Sequence, residues 1–260
     1  DYENWVPQGM ITGMCAGTAV LAAANVGAAV LLRYESGKVK TGIQAALGLG
    51  LIGCAKMTEW CIMANRNFSY DGKRKLSKVI VEGTAEYITI PDGGVGLDVG
   101  CGSGALTIAC AKRNPQATMV GMDRWGAEYA SFSKALCERN AEAEGVSNVF
   151  FEKGDAMHLD YPDETFDAVT SNYVYHNISG VDKQQLLRET LRVLKKGGTF
   201  AIHDLMSKMR YGDMERFAQE LRDEGYQEVE LIHTDDGMFM SKKEATKMML
   251  RGSALLKGVK

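Results

Sequence analysis

The sequence predicts an α/β protein with a mainly parallel seven-stranded sheet, helices on both faces of the sheet, and a hydrophobic helical segment ahead of it. Three observations support this prediction. Beyond about residue 76, short apolar runs alternate with amphipathic stretches of ten or more residues, as in parallel sheets covered by helices. Glycines stand at alternate positions directly after the first apolar run. The N-terminal quarter instead contains long apolar runs with few charges.

The N-terminal region, residues 1–65, is expected to be a membrane-associated helical segment. From Gly9 to Leu32 no charged residue occurs over 24 positions, which exceeds the roughly 20 residues that a helix needs to cross a bilayer core. We therefore expect a membrane helix at about 9–32. Its glycines Gly9, Gly13 and Gly17 form a strip that would allow close approach of a second copy, so a homodimer is one interpretation. The alternative is an alanine-rich helix buried in a soluble protein.

A second predicted helix, at about 41–64, contains an apolar run of only 15 residues, Thr41–Ala55. That length is short for a span and suits an interfacial or re-entrant helix. The segment between the two runs carries three basic residues and one acidic residue, and positive loops tend to stay in the cytoplasm. The simplest arrangement is one span in the cell membrane with residues 66–260 as a domain in the cytoplasm. A soluble cytoplasmic protein is the alternative.

Within residues 66–260 the expected elements follow in order. Leu76, Ile80 and Tyr87 fall on one face of a helix in residues 75–88. Apolar runs predict strands at 95–99, 117–123, 148–155, 166–175, 199–206, 227–234 and 253–260. Amphipathic stretches predict helices at 105–112, 126–145, 182–198 and 212–225. In such sheets, ligands bind beyond the carboxyl ends of the strands, near the point where strand order reverses.

The glycine-rich stretch "LDVGCGSG" lies where the first strand turns into a helix. At such a turn the backbone N–H groups and the helix dipole face a ligand, and glycine lets the ligand come close. The dinucleotide fingerprint is G-x-G-x-x-G, whereas this sequence has G-x-G-x-G with an acidic residue two positions ahead. The difference counts against a nicotinamide dinucleotide.

This stretch resembles motif I of the class I S-adenosylmethionine-dependent methyltransferases, and the resemblance extends from about Leu76 to Lys260. It implies a Rossmann-like sandwich, S-adenosyl-L-methionine as cofactor, and methyl transfer. It also implies that the loop wraps the amino-acid end of the cofactor, through Asp98, Gly100, Cys101, Gly102, Ser103 and Gly104.

The same resemblance assigns roles at the ends of the next strands. Asp123 occupies the place of the acidic residue that accepts hydrogen bonds from both ribose hydroxyls. Asp155 occupies the place of the acidic residue near the adenine edge. Three neighbours of these carboxylates and one residue after the fourth strand complete the predicted cofactor site: Arg124, Trp125, Ala156 and Asn172. Trp125 is expected to pack on the adenine.

The stretch "SNYVYHNI" follows the fourth strand, where the family places residues that flank the methyl group and the acceptor. Tyr173 and His176 are therefore the candidate catalytic residues, and His203, at the end of the fifth strand, is a further possible base. The stretch lacks the double-proline tetrapeptide of relatives that methylate base or amide nitrogens.

The chemistry of the acceptor is constrained only in part. A net charge of −3 gives no support for nucleic acid as a partner, and six cysteines without a C-x-x-C pair predict no metal site. An apolar helix joined to a catalytic domain suggests a small or lipid-like methyl acceptor. The alternatives are a nucleotide-cofactor (NAD-type) oxidoreductase and a non-catalytic S-adenosylmethionine-binding protein of the same fold.

Overall fold

A computed structural model describes residues 2–34, 37–126 and 131–260. The chain divides into two compact units. One consists of Asn4–Lys75, and the other of Leu76–Lys260 together with residues 2–3. We describe each unit by itself.

Two long helices dominate the first unit: α1, Gln8–Leu31, and α2, Lys38–Phe68. Both are long and apolar enough to cross a membrane, with mean hydropathies of 1.8 and 1.3 in their most apolar segments. The second helix is longer than its 15-residue apolar run suggested, because Lys56 and Glu59 form an ion pair one turn apart at 2.9 Å and the helix continues through them. The expected domain boundary between residues 65 and 66 therefore falls inside α2.

Part of the glycine strip on α1 faces α2 of the same chain. A Cβ atom added at Gly17 would lie 3.6 Å from the Cys54 sulfur. Next to it, the hydroxyl groups of Thr18 and Thr58 lie 2.9 Å apart. Among the described residues, nothing lies within 4 Å of such an atom at Gly9 or Gly13. A homodimer through this strip stays a prediction, and Gly17 already has a contact within the chain.

The described part of the second unit forms one seven-stranded sheet, as predicted. Its strands are β1 Val95–Val99, β2 Thr118–Asp123, β3 Val149–Lys153, β4 Phe166–Asn172, β5 Leu194–Leu205, β6 Gln227–His233 and β7 Ser253–Val259. Their order is β3-β2-β1-β4-β5-β7-β6, and only β7 runs antiparallel to its neighbours. Strand order reverses between β1 and β4, so the ligand site is expected at their carboxyl ends.

Helices cover this sheet, and their bounds are as follows: α3 Leu76–Ala85, α4 Ala105–Arg113, α5 Lys134–Ala143, α6 Lys183–Arg192, α7 Lys208–Tyr211, α8 Met214–Asp223 and α9 Lys242–Lys247. The helix α8 shows why these stretches fold as they do. Asp213 caps its first turn by accepting a hydrogen bond from the Arg216 amide at 3.0 Å, and Phe217 and Leu221 are buried four residues apart.

Three predicted boundaries were wrong for local reasons. The helix expected from residue 126 begins at Lys134, because the Ser133 hydroxyl caps it by accepting from the Leu136 amide; residues 127–130 of that prediction lie outside the described chain. The strand expected to reach residue 175 ends at Asn172, because Tyr173 adopts a positive φ of 56°. The helix expected to reach residue 198 ends at Arg192, because the chain then pairs as β5.

Candidate active site

The glycine loop begins where β1 ends, and β2 holds it in place. The amides of Gly100 and Cys101 both donate to the Met122 carbonyl, at 2.7 and 3.0 Å. Gly100 has a φ of 75°, and a Cβ atom there would lie 2.4 Å from the Val174 side chain. The loop after β1 and the loop after β4 are therefore in direct contact at the point where strand order reverses. Glycine is required at this position on both counts.

Gly102 stands at the open side of the loop. Its amide donates to the Asp123 carboxylate at 2.9 Å, and its carbonyl accepts from the Trp125 indole at 3.0 Å and the Cys137 thiol at 3.2 Å. A Cβ atom at Gly102 would have Phe132, 3.9 Å away, as its nearest neighbour. These hydrogen bonds hold the backbone of Gly102 in place, and the side on which a Cβ atom would lie has room for a ligand.

Asp98 is buried beneath this loop, near the end of β1. Its carboxylate accepts a hydrogen bond from the Thr107 hydroxyl at 2.6 Å. Burial, reinforced by the negative charge of Asp123, raises the pKa of Asp98 to about 7 in spite of that bond. A buried carboxyl with this pKa is favourable for binding a positively charged group.

Asp123 and Asp155 stand at the carboxyl ends of neighbouring strands. The two oxygens of Asp123 accept from the amides of Gly102 and Trp125, at 2.9 and 2.8 Å. The Gly154 amide donates to the Asp123 carbonyl at 3.0 Å. Asp155, the next residue, therefore lies beside the end of β2. Asp155 is exposed and accepts from the Met157 amide at 2.9 Å. The two carboxylates thus line the same edge, as the sequence implied.

The other predicted cofactor residues take different positions around these carboxylates. The indole N–H of Trp125 donates a hydrogen bond to the Gly102 carbonyl of the glycine loop. Packing of the Trp125 ring on an adenine stays a prediction. Arg124 is exposed and Ala156 is half-buried. A role of Arg124, Trp125 and Ala156 in cofactor binding stays a prediction.

Cys101 and Ser103 contribute backbone to the loop. Cys101 packs in a buried cluster with Cys137 and Ile108, and burial raises the pKa of its thiol well above the ordinary value. The Ser103 hydroxyl donates to the carbonyl of Tyr2 at 2.9 Å. Tyr2 lies 101 positions away, and no pattern in the sequence predicts this contact.

Asn172 and His203 form a buried polar chain across the ends of β4 and β5. The Asn172 side-chain oxygen lies 2.8 Å from Nδ1 of His203, and Nε2 lies 2.8 Å from the Thr234 hydroxyl. Burial lowers the pKa of His203 to about 4, so the ring is neutral at physiological pH. With both nitrogens bonded, His203 holds these strand ends together and is not available as the base that the sequence suggested.

Tyr173 is anchored in the same way. Its hydroxyl lies 2.8 Å from the Ser253 hydroxyl, and its ring packs edge-on against His203 with centroids 4.7 Å apart. Burial raises the pKa of Tyr173 above its ordinary value, so the phenol stays protonated. The geometry therefore favours a positioning role for Tyr173, which the sequence had suggested as a catalytic residue.

His176 is the predicted catalytic residue with the clearest chemical arrangement. Its Nδ1 lies 2.5 Å from the carboxylate of Asp204, and its amide donates to the other oxygen of Asp204 at 3.2 Å. Burial alone would raise the pKa of Asp204, but the hydrogen bond and charge of His176 outweigh burial and hold this pKa below its ordinary value. An ionised Asp204 keeps the proton on Nδ1, which leaves Nε2 as the basic nitrogen.

The sequence did not identify Asp204 as the partner of His176. The two residues are 28 positions apart and meet because β4 and β5 are neighbouring parallel strands that end at the same edge. The sequence did contain an indication that Asp204 belongs to the site, since it is an acidic residue at the carboxyl end of a buried strand.

The strand order, the glycine loop and the row of carboxylates together define a Rossmann-like domain with a candidate nucleotide-cofactor site at its switch point. Residues 90–252 match the family model described as "Methyltransferase domain". The chain belongs to this family, whose class I members use S-adenosylmethionine.

Curated relatives agree with this family. The chain is 35% identical over 116 residues to a demethylmenaquinone methyltransferase of Lactobacillus johnsonii, covering 44% of this chain and 45% of that protein. It is 30% identical over 141 residues to the 27-O-demethylrifamycin SV methyltransferase of Amycolatopsis mediterranei, covering 54% and 49%. The chain thus spans about half the length of these relatives.

Solved structures support the fold. A geranyl diphosphate methyltransferase in complex with geranyl diphosphate and sinefungin superimposes with a TM-score of 0.54 at 13% identity, covering 73% of this chain and 80% of that one. The [4+2]-cyclase SpnF gives a TM-score of 0.52 at 21% identity, covering 74% and 85%. At these identities the likeness shows the architecture alone.

Proposed function

We propose that this protein transfers a methyl group from S-adenosyl-L-methionine to a small or lipid-like acceptor, with His176 as general base. The observation that carries the proposal is the position of the His176–Asp204 pair at the same sheet edge as the glycine loop and its carboxylates. A cofactor pocket and an oriented base at one switch point are what methyl transfer to a protonated nucleophile requires.

The residues at the glycine loop fit this cofactor. Asp98 would hold the cationic amino group, since its burial makes a positive neighbour favourable. The open face of Gly102 would accept the amino-acid end, and Asp123 would take the ribose hydroxyls. Asp155 would stand at the adenine. When bound, S-adenosylmethionine supplies a methyl group that its sulfonium has already activated.

His176 then performs the proton transfer. Nε2 removes the proton from an acceptor hydroxyl or activated carbon acid, and Asp204 stabilises the resulting imidazolium. Tyr173 and the buried His203 fix the floor on which the acceptor lies, because the Tyr173 amide donates to the His203 carbonyl at 2.8 Å. Such an oriented pair aligns the nucleophile without a metal ion or a covalent intermediate.

A membrane location and an apolar acceptor follow from the N-terminal unit and the relatives. The helices α1 and α2 have the length and composition of membrane spans, and little of either apolar segment is buried. One relative is named for demethylmenaquinone, and another for 2-phytyl-1,4-naphtoquinone, both quinones. We infer that this protein is anchored in the cell membrane, that its catalytic domain lies in the cytoplasm, and that its acceptor is a lipid-soluble ring compound rather than a nucleic acid.

Methyl transfer from labelled cofactor into fractionated membrane and soluble extracts tests this function. The full chain in detergent should label an apolar product in the membrane fraction, and Asp123→Ala should strongly reduce the label when the cofactor concentration does not saturate the wild type. Labelling confined to water-soluble thiols or amines would contradict the lipid-like acceptor. Binding of S-adenosylhomocysteine without any transfer would favour a non-catalytic protein, and binding of NADH in its place would favour an oxidoreductase.

A further inference from the structure

A basic surface with two exposed methionines lies at the same sheet edge as the candidate active site. We call it the rim surface. It consists of Lys208, Met209, Arg210, Lys242, Lys243, Lys247, Met249 and Arg251, all of them exposed. The helix α7 follows the carboxyl end of β5, and the second segment leads into β7. Because Leu205 pairs with Ser253 in antiparallel register, both segments lie at one edge of the sheet.

The two segments of the rim surface touch each other. A Cβ atom at Gly252 would lie 3.2 Å from the Ser207 side chain. The Gly252 amide also donates to the Asp235 carboxylate at 2.7 Å, which fixes the second segment beside the turn after β6. The rim surface is therefore continuous across the strand ends.

Methionine supplies the apolar part of this surface. Met209 is 91% exposed and Met249 is 68% exposed, although their neighbours Tyr211, Met248 and Leu250 are buried. Side chains of this size are usually covered in a folded protein, and methionine packs readily against irregular apolar surroundings. Two such side chains at the mouth of a site favour an apolar partner.

Basic side chains supply the charge. Six of the eight rim residues are Lys or Arg. Nearby acidic residues offset part of this charge: Asp213 lies 3.8 Å from Lys208, and Asp236 lies 2.9 Å from Lys242. Asp235 and Glu244 add two half-buried negative charges beside the second segment, and Lys247 also has an interaction within the chain. Six basic residues therefore face four acidic ones. The excess of positive charge favours an anionic partner, within a chain whose net charge is −3.

We propose that the rim surface docks on an anionic bilayer surface, with Met209 and Met249 inserted among the lipids and the basic side chains on the headgroups. The inference rests on the proposed membrane association and goes beyond it, because it assigns a second contact with the membrane. A bilayer combines the apolar layer and the anionic layer that this surface requires. Seven residues, 69–75, separate the end of α2 from the start of α3. An acceptor dissolved in the membrane would then reach the site without crossing water.

Hydrogen exchange of the full chain in lipid nanodiscs tests the docking. Exchange in residues 207–213 and 241–252 should be slower in discs that contain phosphatidylglycerol than in pure phosphatidylcholine discs, and high salt should remove the difference. Each basic side chain near an anionic surface contributes about a factor of five in affinity, so Arg210→Gln with Lys243→Gln should weaken docking by about 30-fold. Met209→Ser with Met249→Ser should reduce the protection as well.

The matched control is Arg113→Gln with Lys196→Gln, which removes the same charge from two exposed residues at the opposite edge of the sheet. This control should leave the protection unchanged. Equal exchange in both lipids, or an equal loss in the control, would overturn the proposal. Extraction with alkaline carbonate measures anchoring separately. If the chain is extracted, flotation of the same proteins with phosphatidylglycerol vesicles decides whether the rim surface binds anionic lipid.

Discussion

Replacing Asp98 with asparagine should make the stability of the folded protein less sensitive to a rise in pH from about 5 to about 7. Asp98 is buried, and burial raises its pKa from 3.8 to about 7. The folded state therefore retains a proton that the unfolded chain has lost, and the stability that this proton provides disappears as the pH rises toward 7. Asparagine can still accept the bond from Thr107, and it does not ionise.

The magnitude follows from the size of the shift. About three pKa units, at 1.36 kcal/mol each, correspond to about 4 kcal/mol, of which about 3 kcal/mol are lost between pH 5 and pH 8. The free energy of unfolding of Asp98→Asn, measured relative to the wild type, should therefore rise by about 3 kcal/mol over this range. A constant packing cost of the substitution cancels in this difference.

Urea unfolding of the full chain in detergent provides the measurement. Trp5→Phe and Trp60→Phe should be introduced as a background, so that the fluorescence reports on Trp125 beside the glycine loop. Asp92→Asn, which alters an exposed carboxylate, is the matched control. Suppose that the stability of both variants had the same pH dependence as that of the wild type. Asp98 would then be ionised over the whole range from pH 5 to pH 8, and the argument that its burial favours a positively charged ligand would fail.

Three further substitutions test the site. Asp123→Ala should weaken binding of S-adenosylhomocysteine by about 1.5 to 3 kcal/mol in calorimetry, the value of hydrogen bonds to a charged group, and near-normal affinity would refute its role. His176→Gln should lower kcat by about 10² to 10⁴ while cofactor affinity is retained, so a parallel loss of both would indicate a merely structural histidine. Gly100→Ala should cost about 1 to 3 kcal/mol of stability from a Cβ atom 2.4 Å from Val174 and a φ of 75°. Val174→Ala should restore part of that loss, and thermal unfolding that shows no rescue would contradict the contact.

Local sequence patterns were sufficient to predict the seven-stranded sheet and to place two carboxylates at its edge. Asp123 ends β2, and Asp155 follows β3 after one glycine, so this placement required no knowledge of contacts between distant residues. Their roles in cofactor binding stay predictions. The alternate glycines indicated a backbone that a ligand can approach closely, and the structure adds that Gly100, Gly102 and Gly104 all adopt a positive φ.

The acceptor side depends on contacts between distant residues, which a single sequence does not display. His176 and His203 were equivalent candidates in the sequence, and burial separates them: one ring is 17% exposed and paired with Asp204, the other is fully buried and neutral. The strand β4 ends early because Tyr173 has a left-handed backbone conformation, which tyrosine seldom adopts. The sequence has no glycine, asparagine or aspartate at position 173 that would have predicted it.

The contact between Gly100 and Val174 restricts how this enzyme can acquire new acceptors. In the proposed function the acceptor lies against the loop after β4, and that loop rests on the glycine loop that would hold the cofactor. A replacement loop taken from another enzyme would have to bring a side chain at position 174 that fits against a bare glycine backbone. Loop grafts that retain Val174, or shorten it to alanine, should preserve the contact with Gly100.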